Sequence, residues 1–429
     1  MLQQATVVHT TRLPLSAYAQ RATASNQFHD DPEAVSHLRF GLFGEIGGLL
    51  AAVKKAKRDL GVVEQAVIKE ELGDALWYLT MVATQTGTTL PDLGRLALVD
   101  LQRRLRVTNG HDPSDDPTFS EFDGLVDFGR SRLPGPTTRL LSELAAHAGQ
   151  ILAESDVAGT NLVAHPLSQL LATLLADIVL VAASFDLHMA AVAEANLQKT
   201  EDRWPPPGTE AVPLFDDGLD ELEQLPRELR VMFIERQLPD GEPFVIQQIN
   251  GVNIGDRLTD NRADPDGYRF HDVFHLAYVA HLGWSPVIRG LLKRKRKSDP
   301  QLDQNQDGAR AMIIEEGIAT WIFNHAYRRN YFAETGAAKL EYSLLKQVKD
   351  MVQGYEVADC PLWQWERAIL EGFKVFRQLR DAGCGVVAVD MLNRTIAFEE
   401  LPPEKMPRGA TSQAPRVRVG AALPLGEPK

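Results

Sequence analysis

Between Leu15 and Leu105 apolar residues recur three and four positions apart, as in LRFGLFGEIGGLLAAVKK and IKEELGDALWYLTMVA, the spacing of one helix face. This predicts a helical module over residues 1–106. From Val107 the pattern breaks into Pro, Gly, Asp and Ser (VTNGHDPSDDPTFSEFDGLVDFGRSRLPGP), which predicts an acidic linker, 107–137, with room for one short element. Helical patterning resumes at Thr138 and stops at WPPPG, because consecutive prolines cannot continue a helix; a second module is expected over 138–206. That module reads as a worn copy of the first. LLSELAAHAGQILAE lies on GLFGEIGGLLAAVKK with Glu143 at the place of Glu45, and LATLLADIVLVAASFDL lies on KEELGDALWYLTMVATQTG with Asp177 at the place of Asp74. Both copies close with a related helix, LVDLQRRL and EANLQKTEDRW. The second is about one helical turn shorter before its closing helix, a slip that keeps the same face.

A third domain is expected over 212–400. Its two strand-like runs, RVMFIERQ and EPFVIQQING, are separated by PDG and predict a β-hairpin. Long helices follow from Tyr268 to about Arg380. The tail 401–429 is rich in Pro, Gly and Arg and is expected to be disordered. The expected fold class is therefore mainly all-α: tandem helical-bundle modules, then a mostly helical C-terminal domain with a small β-hairpin.

Composition narrows the function classes. The 429 residues are 44% hydrophobic and 24% charged, which suits a globular chain and excludes a fibrous or wholly disordered one. Lys+Arg total 45 against 58 Asp+Glu, a formal charge of -13, which argues against broad binding to nucleic acid or anionic membrane. Two cysteines, Cys360 and Cys384, cannot frame a disulfide scaffold and suit a reducing compartment. The N-terminus lacks a signal-peptide pattern, and no uninterrupted apolar run reaches the ~18 residues of a membrane span, so a cytoplasmic location is expected. There is no GxxxxGK[ST], GxGxxG or CxxC motif.

The acids of the first module carry the leading candidate chemistry. Glu71 and Asp74 are three apart and share a helix face. Opposite Glu45 from the neighbouring helix, they would form a cage of carboxylate oxygens suited to Mg²⁺ or Mn²⁺. Ordinary solvated amphipathic helices are the plainer explanation of the same acids. Lys54, Lys55 and Lys57 read either as a favourable positive helix end or as triphosphate contacts. Trp77 and Tyr78 read either as core or as a platform for a base.

GLFGEIGGLLAAVKK followed by EELGDALWYL resembles the MazG-type, all-α nucleoside triphosphate pyrophosphohydrolases, whose signature is ExxE on one helix and ExxD on the next. The resemblance covers roughly Leu15 to Arg104, and more weakly Thr138 to Trp204. It implies Mg²⁺-dependent cleavage of (deoxy)nucleoside triphosphates to monophosphate and pyrophosphate by dimers or tetramers of helical modules. Glu45 matches the first family acid, Glu71 the third and Asp74 the fourth, as catalytic and metal-binding residues. The second is replaced by Gly48, and in the second copy Ala146 and Leu174 stand where Gly48 and Glu71 do. The second copy is therefore expected to be structural, a half of a pseudo-dimer, with Asn196, Lys199 and Arg203 either approaching the substrate phosphates or lying on a solvated final helix. A homodimer of the whole chain stays open.

The third domain holds a second polar cluster. In DGYRFHDVFHLAY, His271 and His275 are four apart and Asp272 and His275 three apart; in MIIEEGIATWIFNHA, Glu315 and Glu316 interrupt an apolar helix. A metal site of Asp272, His275 and Glu316, with His271 and Glu315 nearby, is the functional expectation; a buried His–Glu network that only holds helices together is the structural one. The domain resembles the C-terminal extension of some MazG-like proteins. DQNQDG at Asp303 starts like an EF-hand loop but places Ile314 at the twelfth position. KRKRK at 293–297 reads as a solvated basic loop. Two alternatives stand beside hydrolysis in the first module: a catalytically weak nucleotide-sensing protein, and a metal-dependent hydrolase acting through the C-terminal cluster.

Overall fold

The computed structural model describes residues 12–28, 31–62, 64–107, 112–153 and 166–401. The expectation of a disordered tail falls on residues outside that range, save Leu401. Contacts divide the chain into two units, Met1–Gly208 and Thr209–Lys429.

The N-terminal unit is built from α1 (Leu15–Ala24), α2 (Ala34–Lys55), α3 (Gln65–Gln85), α4 (Leu90–Arg104), α5 (Phe119–Gly129), α6 (Thr137–Ala153), α7 (Pro166–Ser184) and α8 (Met189–Arg203). Leu38, Leu42, Ile46 and Leu49 line one side of α2 and bury against Ile68, Leu72, Leu76 and Leu79 of α3. Each such side chain taken from water stabilises the pair by roughly 1.5–3 kcal/mol. Helix α2 ends in a π-helical turn, Ala56–Leu60, closed by Gly61 at φ 74°. Helix α4 starts at the Thr89 cap, whose Oγ1 accepts from the Asp92 amide at 3.2 Å.

The segment expected as an acidic linker carries α5, and α5 is part of the core. Phe119, Phe122 and Val126, at helical spacing, are buried among the other helices. Its start is a capping box, the Glu121 carboxylate accepting from the Thr118 amide at 3.1 Å. The Pro, Gly and Asp residues around this short amphipathic helix masked its period. Its N-terminus pairs with that of α1 through two reciprocal bonds, Leu15 N–H to Pro117 O at 2.9 Å and Phe119 N–H to Leu13 O at 3.3 Å. The helix packing matches in two halves, α1–α4 and α5–α8: α2 on α3 as α6 on α7, and α1 on α3 as α5 on α7. Between the halves, α3 packs on α8 and α4 packs on α7.

Among the described residues one segment, Leu167–Ser184 on α7, is long and apolar enough to cross a bilayer. Leu171, Leu174, Leu175, Ile178 and Val181 on it are fully buried against α3, α4, α5 and α6, the position of a bundle's central helix.

In the C-terminal unit the expected hairpin is part of a larger sheet. Strands β1 (Glu228–Gln237), β2 (Pro243–Ile249), β3 (Val252–Leu258), β4 (Cys384–Asp390) and β5 (Thr395–Glu399) form one antiparallel sheet in the order β3-β2-β1-β4-β5. The missed β2–β3 connection is Asn250-Gly251, both at positive φ (51° and 80°), the residues a tight two-residue hairpin turn demands. Helices α9 (Asp272–Leu282), α10 (Pro286–Leu291), α11 (Pro300–Asn305), α12 (Ala309–Tyr327), α13 (Tyr342–Met351) and α14 (Leu362–Ala382) complete the unit. Helices α9 and α14 pack on each other and on β4 and β5. Every residue of α9 is buried, so any polar side chain on it must find a partner inside the domain.

The basic run 293–297 is not a solvated loop. Arg296 is buried in an ion pair with Asp307, its Nη2 2.7 Å from Oδ1, and Arg294 donates to the backbone carbonyls of Glu221, Leu222 and Gln224. The same pair takes Asp307 out of any calcium loop.

Candidate functional sites in the two units

In the N-terminal unit the strong α2–α3 packing brings Glu45 opposite Glu71 and Asp74. Gly48 matters here: a Cβ at that position would stand 2.5 Å from the Glu71 Oε2 atom. Glu71 therefore leans into the space a side chain at position 48 would need. Burial, followed by the nearby Asp74 and Glu71 carboxylates, pushes the Glu45 carboxyl up to about 7. Asp74 is also raised, burial outweighing its cationic neighbour Lys199.

Asn196 and Lys199 of α8 do come to this side of the bundle, but they bond the acids. The Lys199 ammonium bonds Asp74 Oδ2 and lies 2.9 Å from Glu70 Oε1, so Glu70 belongs to the cluster. Asn196 Nδ2 donates to Asp74 Oδ1 at 3.1 Å, and its Oδ1 accepts from the buried Tyr18 hydroxyl at 2.8 Å. Tyr18 was not foreseen, since only the fold brings α1 and α8 against α3; Glu70, about a hundred degrees round α3 from Glu71 and by spacing a poor replacement for the missing acid, joins the cluster through Lys199. Arg203 is buried, its guanidinium 5.3 Å from the Trp204 ring. Trp77, one of the expected substrate contacts, is a core residue. Its indole N–H bonds Ala22 O at 3.1 Å and Ser25 Oγ at 2.9 Å. Tyr78 is half-buried with its ring against Gly41, and Lys54 is exposed at the end of α2.

In the second half the matching Asp177 is buried and closed off. Arg104 Nη1 lies 2.6 Å from Oδ1 and His147 Nδ1 2.5 Å from Oδ2. Glu143 pairs with Arg139 on its own helix at 2.8 Å.

The C-terminal unit holds a tighter cluster. Among the described residues, the group of ligand-type side chains whose donor atoms all lie within 4.8 Å of one another is His271, His275 and Glu316. His271 immediately precedes α9, His275 is one turn into it, and Glu316 reaches over from α12. His271 thus takes the place expected for Asp272, whose Oδ1 lies 3.1 Å from His271 Nε2 and whose Oδ2 is held by Gln247. Glu315 is wholly buried behind His275. It accepts from Ser285 Oγ at 2.6 Å and the Val287 amide at 2.8 Å, and its Oε1 meets His275 Nδ1 at 2.8 Å. Burial opposes charge on His275, yet Glu315 and Glu316 outweigh it and raise its pKa. Burial would raise Glu316, but His271 and His275 hold it well below the usual carboxylate range. The cluster attracts positive charge.

The family model of the MazG C-terminal domain matches residues 210–402. The chain belongs to the MazG-like proteins that carry this domain. This MazG-like chain is also similar to the Gene 37 protein of Mycobacterium phage L5, 37% identical over 79 residues, which are 18% of this chain and 69% of that protein. No solved structure matches it.

Proposed function

We propose that this MazG-like protein hydrolyses (deoxy)nucleoside triphosphates to monophosphate and pyrophosphate, with Mg²⁺ or Mn²⁺, at the α2–α3 seam of its N-terminal unit. The MazG relationship favours a pyrophosphohydrolase-type role. The observation that carries the reading is the crowding of Glu45, Glu70, Glu71 and Asp74 at one seam, with the Lys199 ammonium bonded to Asp74 and Glu70. Carboxylates gathered this way at a half-buried seam raise one another's pKa and favour a bound cation.

The donor set fits the expected ion, because it consists of carboxylate oxygens alone. Glu45, Glu71 and Asp74 would hold it, and bound there it would neutralise phosphate charge and lower the pKa of an attacking water. Tyr18 and Asn196 fix the Asp74 carboxylate through one hydrogen-bonded chain, which preorganises that ligand. Lys199, on the opposite half, is set to exchange Asp74 and Glu70 for phosphate oxygens when a triphosphate arrives.

A second reading, a nucleotide sensor of weak activity, is favoured by Gly48 in place of an acid and by the Lys199–Asp74 ion pair. Pyrophosphate release and nucleotide binding, measured over a panel of canonical and modified (d)NTPs with Mg²⁺ or Mn²⁺, separate the two. Release that disappears in Glu71→Ala supports hydrolysis. Binding without release supports the sensor, and absence of both overturns the two readings together.

A further inference from the structure

The polar centre of the C-terminal unit stands apart from that reading and has its own logic. His275 is wholly buried, and its Nε2 makes no hydrogen bond. Glu316 Oε2 is 3.5 Å away, and His271 Nε2 is also 3.5 Å from that oxygen. This separation is too long for a good N–H···O bond. It is close to the spacing of two ligands on one ion: atoms each about 2.1 Å from a tetrahedral Zn²⁺ lie about 3.4 Å apart.

The other ring nitrogens are already committed. His275 Nδ1 faces Glu315, and His271 Nδ1 lies 2.9 Å from the Tyr268 carbonyl oxygen. With Nδ1 protonated and engaged, His275 Nε2 is left to face the common point, and His271 Nε2, now 3.1 Å from Asp272 Oδ1, would turn its lone pair there on binding an ion, the carboxylate- or carbonyl-backed arrangement of metal-bound histidines. Glu315 is itself fixed by Ser285 and the Val287 amide, and the Tyr268 ring stacks on His271 at 4.3 Å. An unpaired imidazole nitrogen on a wholly buried residue is costly.

We propose that His271 Nε2, His275 Nε2 and Glu316 Oε2 bind one divalent first-row transition metal, with Zn²⁺ the best match. Two imidazoles and a carboxylate disfavour Mg²⁺ and Ca²⁺. His271 and Glu316 also line a cleft of about 610 Å³, together with Asp266, Tyr268, Thr320 and Asn324. Three protein ligands beside an open cleft are the arrangement of a catalytic rather than a structural zinc ion. Asp272 adjoins the site and keeps it acidic.

The test is Co²⁺ and Zn²⁺ binding to the full chain after stripping with a chelator, read by calorimetry and by the visible absorption of Co²⁺. One equivalent of Co²⁺ with an intense four- or five-coordinate band is expected. Glu316→Gln, at a half-exposed position, and His271→Asn should each weaken binding at least about a hundred-fold while the helical circular dichroism persists. Ser285→Ala should weaken it about ten-fold through Glu315. Glu71→Ala, in the other unit, should leave the Co²⁺ band intact. A folded chain that yields no such band, or a band that survives both Glu316→Gln and His271→Asn, overturns the proposal and leaves an imidazolium held between Glu315 and Glu316.

Discussion

Asp74 on α3 and Asp177 on α7 occupy matching places in the two halves of the helical unit, and each meets a base from the other half's closing helix. Asp74 meets Lys199 of α8, and Asp177 meets Arg104 of α4. Around Asp177 the charges close: Arg104 and His147 cover both oxygens, and Leu174 stands at the place of Glu71. Around Asp74 the acids crowd: burial with the Asp74 and Glu71 carboxylates raises Glu45, and Asp74 itself stays raised despite Lys199. A duplicated bundle can thus close one acid in ion pairs in one half and gather several carboxylates in the other.

The strongest way to break this contrast is to remove the gathered acids. Glu71→Ala or Asp74→Ala should lower pyrophosphate release on the order of a hundred-fold or more, several kcal/mol of lost stabilisation, with the helical circular dichroism unchanged. Activity persisting in both would move the site elsewhere. Asp177→Ala should act in the opposite sense. It leaves His147 without its acceptor and Arg104 with Asp100 alone, and should cost about 1–3 kcal/mol in urea unfolding, with release per folded molecule retained. Loss of turnover at full stability would instead give the second half a chemical role.

A smaller effect should appear in the pH dependence of the chelator-treated protein. The Glu45 carboxyl sits higher in the folded chain, about 7, than its ordinary 4.5, so the folded state binds its proton more tightly. Stability should therefore fall as pH rises through that window, by about 1–2 kcal/mol once solvent screening is allowed for. The groups facing it are Asp74, Glu71, Glu70 and Lys199. Glu45→Gln should flatten the fall, and a flat wild-type curve would contradict the crowded-acid picture. Smallest, Trp77→Phe should cost about 1 kcal/mol for its lost indole hydrogen bonds and leave the KM for triphosphate unaltered.

The amphipathic period of α2 and α3, the Glu45/Glu71/Asp74 register and the worn second copy were legible because helix periodicity and spacing are local properties. Trp77 was ambiguous for the same reason: its sequence neighbours suit both core and platform, and only the Ser25 and Ala22 acceptors decide. Strands β3, β4 and β5 went unread although Asn250-Gly251 announced a turn, because short strands gain their hydrogen bonds from partners distant in sequence. In the C-terminal cluster, the i, i+4 histidines were visible as a spacing. That His271 rather than Asp272 converges with His275 and Glu316 depended on how the chain enters α9 and on Gln247 holding Asp272 from a strand.

The sequence by itself determined where the helices run, which residues could share a face and which half keeps its acids, since these follow from side-chain type and a fixed 3.6-residue turn. Tertiary structure alone decided which charges are answered. Arg104 reaches Asp177, Lys199 reaches Asp74 and Ser285 reaches Glu315 across 73, 125 and 30 positions of chain. The energy of a buried ion pair or metal ligand set depends on distance in space and on exclusion of water, and neither is written in local order.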